Sequence, residues 1–396
     1  CRNFFHHEVS PLMVWFTPGS QVWQFITLLS IVGEYPLGSR HLLGNKAVFK
    51  NLVHKLNRPQ TFCNTETGDT MTCRLLSVSG DDRNRNIRLC KVALPILEWI
   101  SPECQSYHLN SFRKHNFSSS VSHRERNHRI GEVVTICMRA GIEARPFLLP
   151  ELQNEAFVHI IPSEAVMYPS KDLKRLSEDE MSKTSFTRMV GALFACGTCY
   201  AMYNTRSATM KWSGKGEFKA RDSLRDLSNM NSEISIVNSA ILLGQSGTVA
   251  LNTIVESDKS QKQEFRFDSV YDHIYFVPLN EDGIRQLRLL TVPDWKEKIL
   301  NLLFDPEERS YNRGRFEYDA IVDDVYIYSY LDADIARLMR LHETLNAQKR
   351  DVVVLCFAYQ VAFLREYFGP LVELKVIDFD AVEDELGPDR RNLFEG

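Results

Sequence analysis

The sequence contains no uninterrupted apolar run of the ~20 residues that a bilayer-spanning helix needs. The nearest approach, residues 11–33, carries no charge, but Pro18 and Gly19 divide it and leave a helical stretch over 21–32. The basic n-region and small-residue cleavage site of a secretory signal are also lacking there. The stretch therefore reads as a buried first helix, with Trp23, Ile26, Leu29 and Ile31 as core residues and Gly33 as its stop. A paired set of cysteines is missing too. The nine present are odd in number and scattered along 396 residues, which excludes a secreted disulfide framework and favours a reducing cytoplasm. Cys196-Gly-Thr-Cys199 has redox or metal spacing but lacks the second pair a zinc site requires, so two ordinary buried thiols are expected. No internal repeat and no low-complexity tail interrupts the chain.

Signatures of common chemistries are absent as well. Gly244-Gln-Ser-Gly247 follows a strand and opens a helix, yet it has neither the Lys-Ser/Thr of a P-loop nor the third glycine of a dinucleotide fingerprint. An ordinary strand-to-helix turn is expected. There is no Gly-x-Ser-x-Gly elbow and no His-rich relaxase triad. His123 and His128 are five apart, a poor spacing for one metal on a helix. Two weaker candidates remain. Glu217-Phe-Lys219 is a Glu-x-Lys step read as following a strand, and with an upstream acid (Glu132, Asp172 or Glu178) it could hold a nuclease's divalent cation. Asp319, Asp323, Asp324, Asp332 and Asp334 cluster near a strand end, where carboxylates can bind Mg²⁺ or simply cap the following helix. No cofactor or metal is expected.

Acid is lacking in one more place, and there the deficit is informative. Residues 45–60, NKAVFKNLVHKLNRPQ, contain no Asp or Glu. Apolar Val48, Leu52, Val53 and Leu56 fall at helical spacing, and the other positions carry Lys46, Lys50, Asn51, His54, Lys55 and Arg58. The surroundings agree. Residues 35–140 hold 16 Lys and Arg against 8 Asp and Glu, a net of +8, in a chain whose net charge is −4. A basic segment on an acidic body suits a polyanionic partner.

The order of elements around that run is specific. A helix over 21–32, a short helix near 37–43, and a third helix over 46–56 with Asn45 as N-cap and Pro59 beyond its end are followed by strand-like runs within 61–79 around Glu66-Thr67-Gly68-Asp69. Residues 86–92 can add a third strand. Three helices and then a hairpin is the order of a winged helix, with the third helix in a major groove and the hairpin as wing. Lysines and arginines would neutralise phosphates, Asn51 and His54 would reach base edges, and Arg74, Arg83, Arg85, Arg88 and Lys91 would grip backbone.

The remainder reads as follows. Residues 1–20 form a tail, 21–100 the winged helix, and 101–122 a polar connection after a helix at 93–100. A middle α+β domain spans 123–235. It opens with a helix over 122–141 capped by Ser122, whose basic half (Arg124, Arg126, Arg129) would face DNA. Strands are expected at 157–161 and 165–168, a helix at 184–195, and a hairpin pair at 199–204 and 209–212. From 236 onward strands near 240–244, 273–279, 325–331, 352–357 and 374–379 alternate with helices near 248–257, 281–290, 334–347 and 359–368. That rhythm implies an α/β domain with a mainly parallel sheet.

Four runs, GEYPLGSRHLLGNKAVFKNLVHKL, RERNHRIGEV, MYPSKDLKR and FTRMVGALFACGTCYAMYNT, together resemble the replication-relaxation family. Its members include mobilisation protein C of plasmids and integrative conjugative elements. The resemblance covers about residues 20–225. It implies a cytoplasmic winged-helix protein that binds double-stranded DNA at a transfer or replication origin beside a relaxase partner, and it carries no catalytic residue across. The C-terminal domain would dock a partner or form a homo-oligomer. The alternatives are a metal-dependent nuclease using Glu217 and Lys219, and a winged-helix transcriptional regulator.

Overall fold

The computed structural model describes residues 13–81, 85–118, 120–144, 146, 165–176, 188–210, 215–231, 234, 236–258, 267–311, 316–348 and 350–387. The fold is mixed α/β and divides into two compact units, one reaching Thr135 and one beginning at Ile136.

Unit 1 runs β1 (Met13–Phe16), α1 (Gln21–Val32), β2 (Glu34–Pro36), a 3-10 helix (Leu37–Leu43), α2 (Lys46–Leu56), β3 (Gln60–Asn64), β4 (Thr70–Cys73), β5 (Leu76–Ser79), β6 (Asn86–Leu89), a 3-10 helix (Lys91–Trp99) and α3 (Pro102–Ser111). It then takes in α4 (Val121–Arg139) as far as Thr135. Helix α1 is apolar nearly all round and is buried from Trp23 to Val32, so it forms the centre of this unit. Ser20 caps it by accepting the Trp23 amide. Gly33 ends it at φ +75°, and a Cβ there would stand 2.6 Å from the Phe112 ring.

Two small sheets flank the helices. In one, β3 pairs parallel with β1 and antiparallel with β4. In the other, β6 lies between β2 and β5, antiparallel to both. The expected single hairpin is thus two hairpins in two sheets. The expected helix at 93–100 is a 3-10 helix containing Pro95, which cannot donate to an α-helical ladder. Residues 101–122 are not a bare connection, because α3 packs there with Cys104 and His108 fully buried. Helix α4 starts at Val121, so Ser122 lies inside it rather than capping it.

Unit 2 contains the end of α4, then β7 (Val166–Pro169), α5 (Ser170–Leu176), β8 (Gly191–Ala195), β9 (Thr198–Arg206), α6 (Lys215–Asn231), β10 (Ile236–Gly244), α7 (Gly247–Asp258), α8 (Phe267–Val270) and β11 (His273–Pro278). Next come α9 (Glu281–Leu290), α10 (Trp295–Leu303), β12 (Ala320–Val322), β13 (Val325–Ser329), α11 (Ile335–Ala347), β14 (Val352–Cys356), α12 (Val361–Phe368), β15 (Glu373–Val376) and α13 (Phe379–Leu386). One sheet has the order β11-β10-β9-β8-β7, the other β12-β13-β14-β15. Strands β9, β10 and β11 are parallel, as are β13, β14 and β15. Strands β7, β8 and β9 form an antiparallel meander.

The strands expected beyond residue 236 are all present; β10, β11 and β14 are largely buried runs, whereas β15 is an exposed edge strand that ends at Val376, short of the expected 379. The boundary expected near residue 235 does not divide this unit. One core cluster contains Ala201 and Leu242 from one sheet and Tyr328 and Val354 from the other.

The helix expected at 184–195 is a correction. Residues 191–195 form β8, paired on both sides and fully buried, while 184–187 lie outside the described residues. Gly191 permits the pairing, since a Cβ there would fall 2.6 Å from the Tyr168 carbonyl oxygen. The partner of β9 is β8, across the turn Cys196-Gly197, and 209–210 are not in a strand. The strand expected at 157–161 lies outside the described residues. Among the described residues no helix is long and apolar enough to cross a membrane.

Candidate nucleic-acid interface

Helix α2 begins where Asn45 accepts the Ala47 and Val48 amides, at 3.0 and 3.3 Å. It buries Phe49, Val53 and Leu56 and half-buries Leu52. Phe49 packs edge-on against Phe25 of α1, with ring centroids 6.1 Å apart. Val48, expected in the core, is exposed, and Phe49 takes its place because its larger ring faces α1. The opposite face is solvent. Lys46, Lys50, Asn51, His54, Lys55 and Arg58 are all exposed. At about 100° per residue, Lys50, His54, Asn51 and Lys55 spread over an arc of about 140°.

Among the described residues, no carboxylate pairs with Lys46, Lys50, Lys55 or Arg58. Nor does the helix carry an acidic residue in its first turn, where one would complement the macrodipole. Helix stability alone does not favour such a composition.

The flanking arginines separate. Arg74 is exposed and donates to the Cys90 sulfur, at 3.4 Å. Arg85 and Lys91 are exposed, and Arg83 lies outside the described residues. Arg88 turns inward. Its Nη2 and Nε donate to Glu34 Oε2 at 2.6 and 3.0 Å, and its guanidinium lies 4.5 Å from the Phe117 ring centroid. Glu34 is 1% exposed and also accepts from Asn127 at 3.0 Å. Arg88→Ala would leave that carboxylate short of its cation. The expected result is lower stability of unit 1 in thermal unfolding, with no change in the salt dependence of DNA binding. The tip of the β3–β4 hairpin carries exposed Glu66 and Asp69, which repel phosphate. On α4, Arg124, Arg126 and Arg129 are half-buried rather than displayed, and burial pulls the Arg126 guanidinium down from its usual range.

The nuclease candidates are not assembled. Glu217 lies in the first turn of α6 and Lys219 at the start of the second, not after a strand. Residues two apart share a face on a strand but point about 200° apart on a helix. Glu217 is accordingly buried and paired with Arg188 at 3.0 Å, while Lys219 is exposed. Of the proposed partner acids, Glu132 accepts the Ser39 hydroxyl at 2.5 Å, Asp172 is buried on α5, and Glu178 lies outside the described residues.

Of the five clustered aspartates, Asp319, Asp332 and Asp334 each have a cationic or histidine partner. Asp323 and Asp324 form the two-residue turn between β12 and β13, both at positive φ. Asp334 caps α11 and accepts from His273 Nδ1 at 2.7 Å. Burial alone would raise the Asp334 carboxyl, but His273 and three backbone amides hold it below the usual range. Asp332 pairs with Lys296 at 2.5 Å, and Asp319 with Arg337 at 2.8 Å. Asp332, Lys296, Arg337 and His273 line a polar cleft of about 610 Å³, together with Asp272, Glu317 and Arg340. Among the described residues, no three His, Cys, Asp or Glu side chains are grouped to hold a metal ion.

Cys199 is buried as expected, but Cys196 is exposed at φ +49° in the β8–β9 turn. Arg337, Lys296 and His273 belong to no motif in the sequence. The available signal was a charge inside an apolar run, as in Ile335-Ala-Arg-Leu-Met339. Comparison with protein-family models, with curated proteins and with solved structures finds no match.

Proposed function

We propose that this chain binds double-stranded DNA through α2, and that it serves as an accessory protein at a transfer or replication origin of a mobile element. The observation that carries the reading is the exposed, acid-free and unpaired basic face of α2. Lys46, Lys50, Lys55 and Arg58 neutralise phosphates, and Asn51 and His54 reach base edges in the major groove.

A winged helix is part of the proposal. Supporting it, α2 is the third helical element, and β2 joins the β5–β6 hairpin in one sheet. The wing is then the β5–β6 hairpin, flanked by exposed Asp81 and Arg85, rather than the β3–β4 hairpin, whose charged tip residues are Glu66 and Asp69. Arg74 and Arg85 grip backbone, and Arg88 braces the unit from within. The link to an origin and to a relaxase rests on the resemblance of the four sequence runs, and footprinting on the element's own transfer origin tests it.

Base reading has a separate test. Asn51→Ala is expected to narrow the gap between specific and random duplex by about 1–3 kcal/mol. Titrations against both duplexes at one salt concentration check it. Equal loss on both would remove Asn51 from the base-reading set.

A further inference from the structure

Unit 1 contains a chain of hydrogen bonds that DNA contact does not require. His108 Nδ1, on α3, lies 3.0 Å from the Ser30 carbonyl oxygen on α1. His108 Nε2 lies 3.0 Å from His115 Nδ1. His115 Nε2 lies 3.0 Å from the carbonyl oxygen of Leu89, the last residue of β6.

A carbonyl oxygen only accepts, so the outer nitrogen of each ring must carry N–H. A neutral imidazole has one N–H. Two neutral rings would therefore place two bare lone pairs 3.0 Å apart at the centre. Two imidazolium rings would oppose two N–H groups there. Three N–H on four nitrogens, a single positive charge, satisfies all three contacts. We infer that His108 and His115 hold one proton between them, forming a latch that ties α1, α3 and β6 together and closes only within a bounded pH window.

The surroundings fit a closed latch. His108 is fully buried. Phe112 lies tilted beside His108 with centroids 4.9 Å apart, and Phe117 meets His115 edge-on at 5.0 Å. Arg113, Lys114 and His115 are three consecutive non-glycine residues at positive φ, a costly run that the His115 contacts restrain. Helix α1 brings no titratable side chain. Strand β6 and the turn after it bring Arg88, already bound to Glu34, and Lys91. Helix α3 and its extension bring the buried Cys104 thiol and the exposed Arg113 and Lys114. Burial pushes the His115 imidazolium down, the Leu89 carbonyl pulls it up, and Arg88 and Lys91 push it down again. The window is centred where the opened rings bind one proton between them, near the ordinary histidine value of about 6.5.

The window has two limbs. Below it the opened rings bind two protons and the closed latch one, so acid opens the latch. Above it the opened rings bind none and the closed latch still needs one, so alkali opens it. Each limb changes the closing equilibrium by up to about tenfold per pH unit.

The test is hydrogen–deuterium exchange of the full chain, read in segment 104–118 and corrected for intrinsic exchange, from acid to mildly alkaline pH. Protection should pass through a maximum and fall on both sides. His115→Gln supplies a side-chain N–H to His108 Nε2 without titrating, so its alkaline fall should vanish and its acid fall remain. An alkaline fall that is absent in the unaltered chain, or that persists in H115Q, overturns the latch. Should H115Q not fold, imidazole ¹⁵N shifts of the unaltered chain decide alone. Three N–H on the four nitrogens support the shared proton, and two neutral rings refute it. DNA plays no part in either measurement, so their outcome is independent of the function proposed above.

Discussion

Arg337→Met is expected to destabilise unit 2 by about 3–5 kcal/mol, the range for breaking a buried ion pair from one side. Arg337 is 3% exposed and Asp319 is 1% exposed. Its Nη2 donates to Asp319 Oδ1 at 2.8 Å, its Nε to Glu317 Oε2 at 2.9 Å, and its Nη1 to the Ser329 carbonyl at 3.3 Å. Its guanidinium also lies 4.5 Å from the Tyr328 ring centroid. Methionine fills much of the volume but leaves Asp319 and Glu317 without this cation. The urea midpoint should fall, and adding Asp319→Asn should recover part of the loss by removing the stranded charge. A midpoint within the scatter of surface variants would show that the network does not hold the unit together.

The same network sets an acid limit. Burial would raise the Asp319 carboxyl, but Lys296, Arg337 and the Ser329 amide hold it below the usual carboxylate range. A depressed carboxyl contributes stability above its unfolded value of about 3.9 and loses it as pH falls through the folded value. Arg337→Met weakens that depression, so acid unfolding of the variant should begin at higher pH.

The second large effect concerns DNA. Lys50→Glu with Lys55→Glu is expected to lower duplex affinity on the order of 10³-fold, roughly 4 kcal/mol. Two phosphate contacts are lost, and two like charges are set against the backbone, each costing more than simple deletion. Both side chains are exposed and no ion pair involves them, so the fold should be retained. Circular dichroism checks the fold, and fluorescence anisotropy on a labelled duplex checks the affinity. Unchanged affinity would place the DNA elsewhere or nowhere.

Much of this molecule was legible in the sequence where one local signal decided the outcome. Asn45, the acid-free run and Pro59 marked α2 almost to the residue, because capping and proline geometry act within a few positions. The apolar run Val352–Cys356 marked a strand because both its faces are covered. Failures came where a distant partner chose. Gly191–Ala195 has no strong local preference, and pairing with β7 and β9 makes it a strand. Glu-x-Lys at 217–219 suggested shared direction, but α6 turns the two side chains apart. Arg88 looked like another surface cation until Glu34, 54 positions earlier in sequence, claimed it. His108 and His115 gave no signal, since their contacts reach back to Ser30 and Leu89 through the fold.

The most direct measurement of the central claim is duplex affinity of the unaltered chain over a fourfold range of salt. Four phosphate contacts from α2 give a slope of log affinity against log salt of about −3.6, which over that range is a loss on the order of 10²-fold. A slope at least that steep is expected, reduced by about 0.9 for each of Lys46, Lys50, Lys55 and Arg58 changed to Ala. A slope near zero, or no detectable binding at low salt, would contradict it.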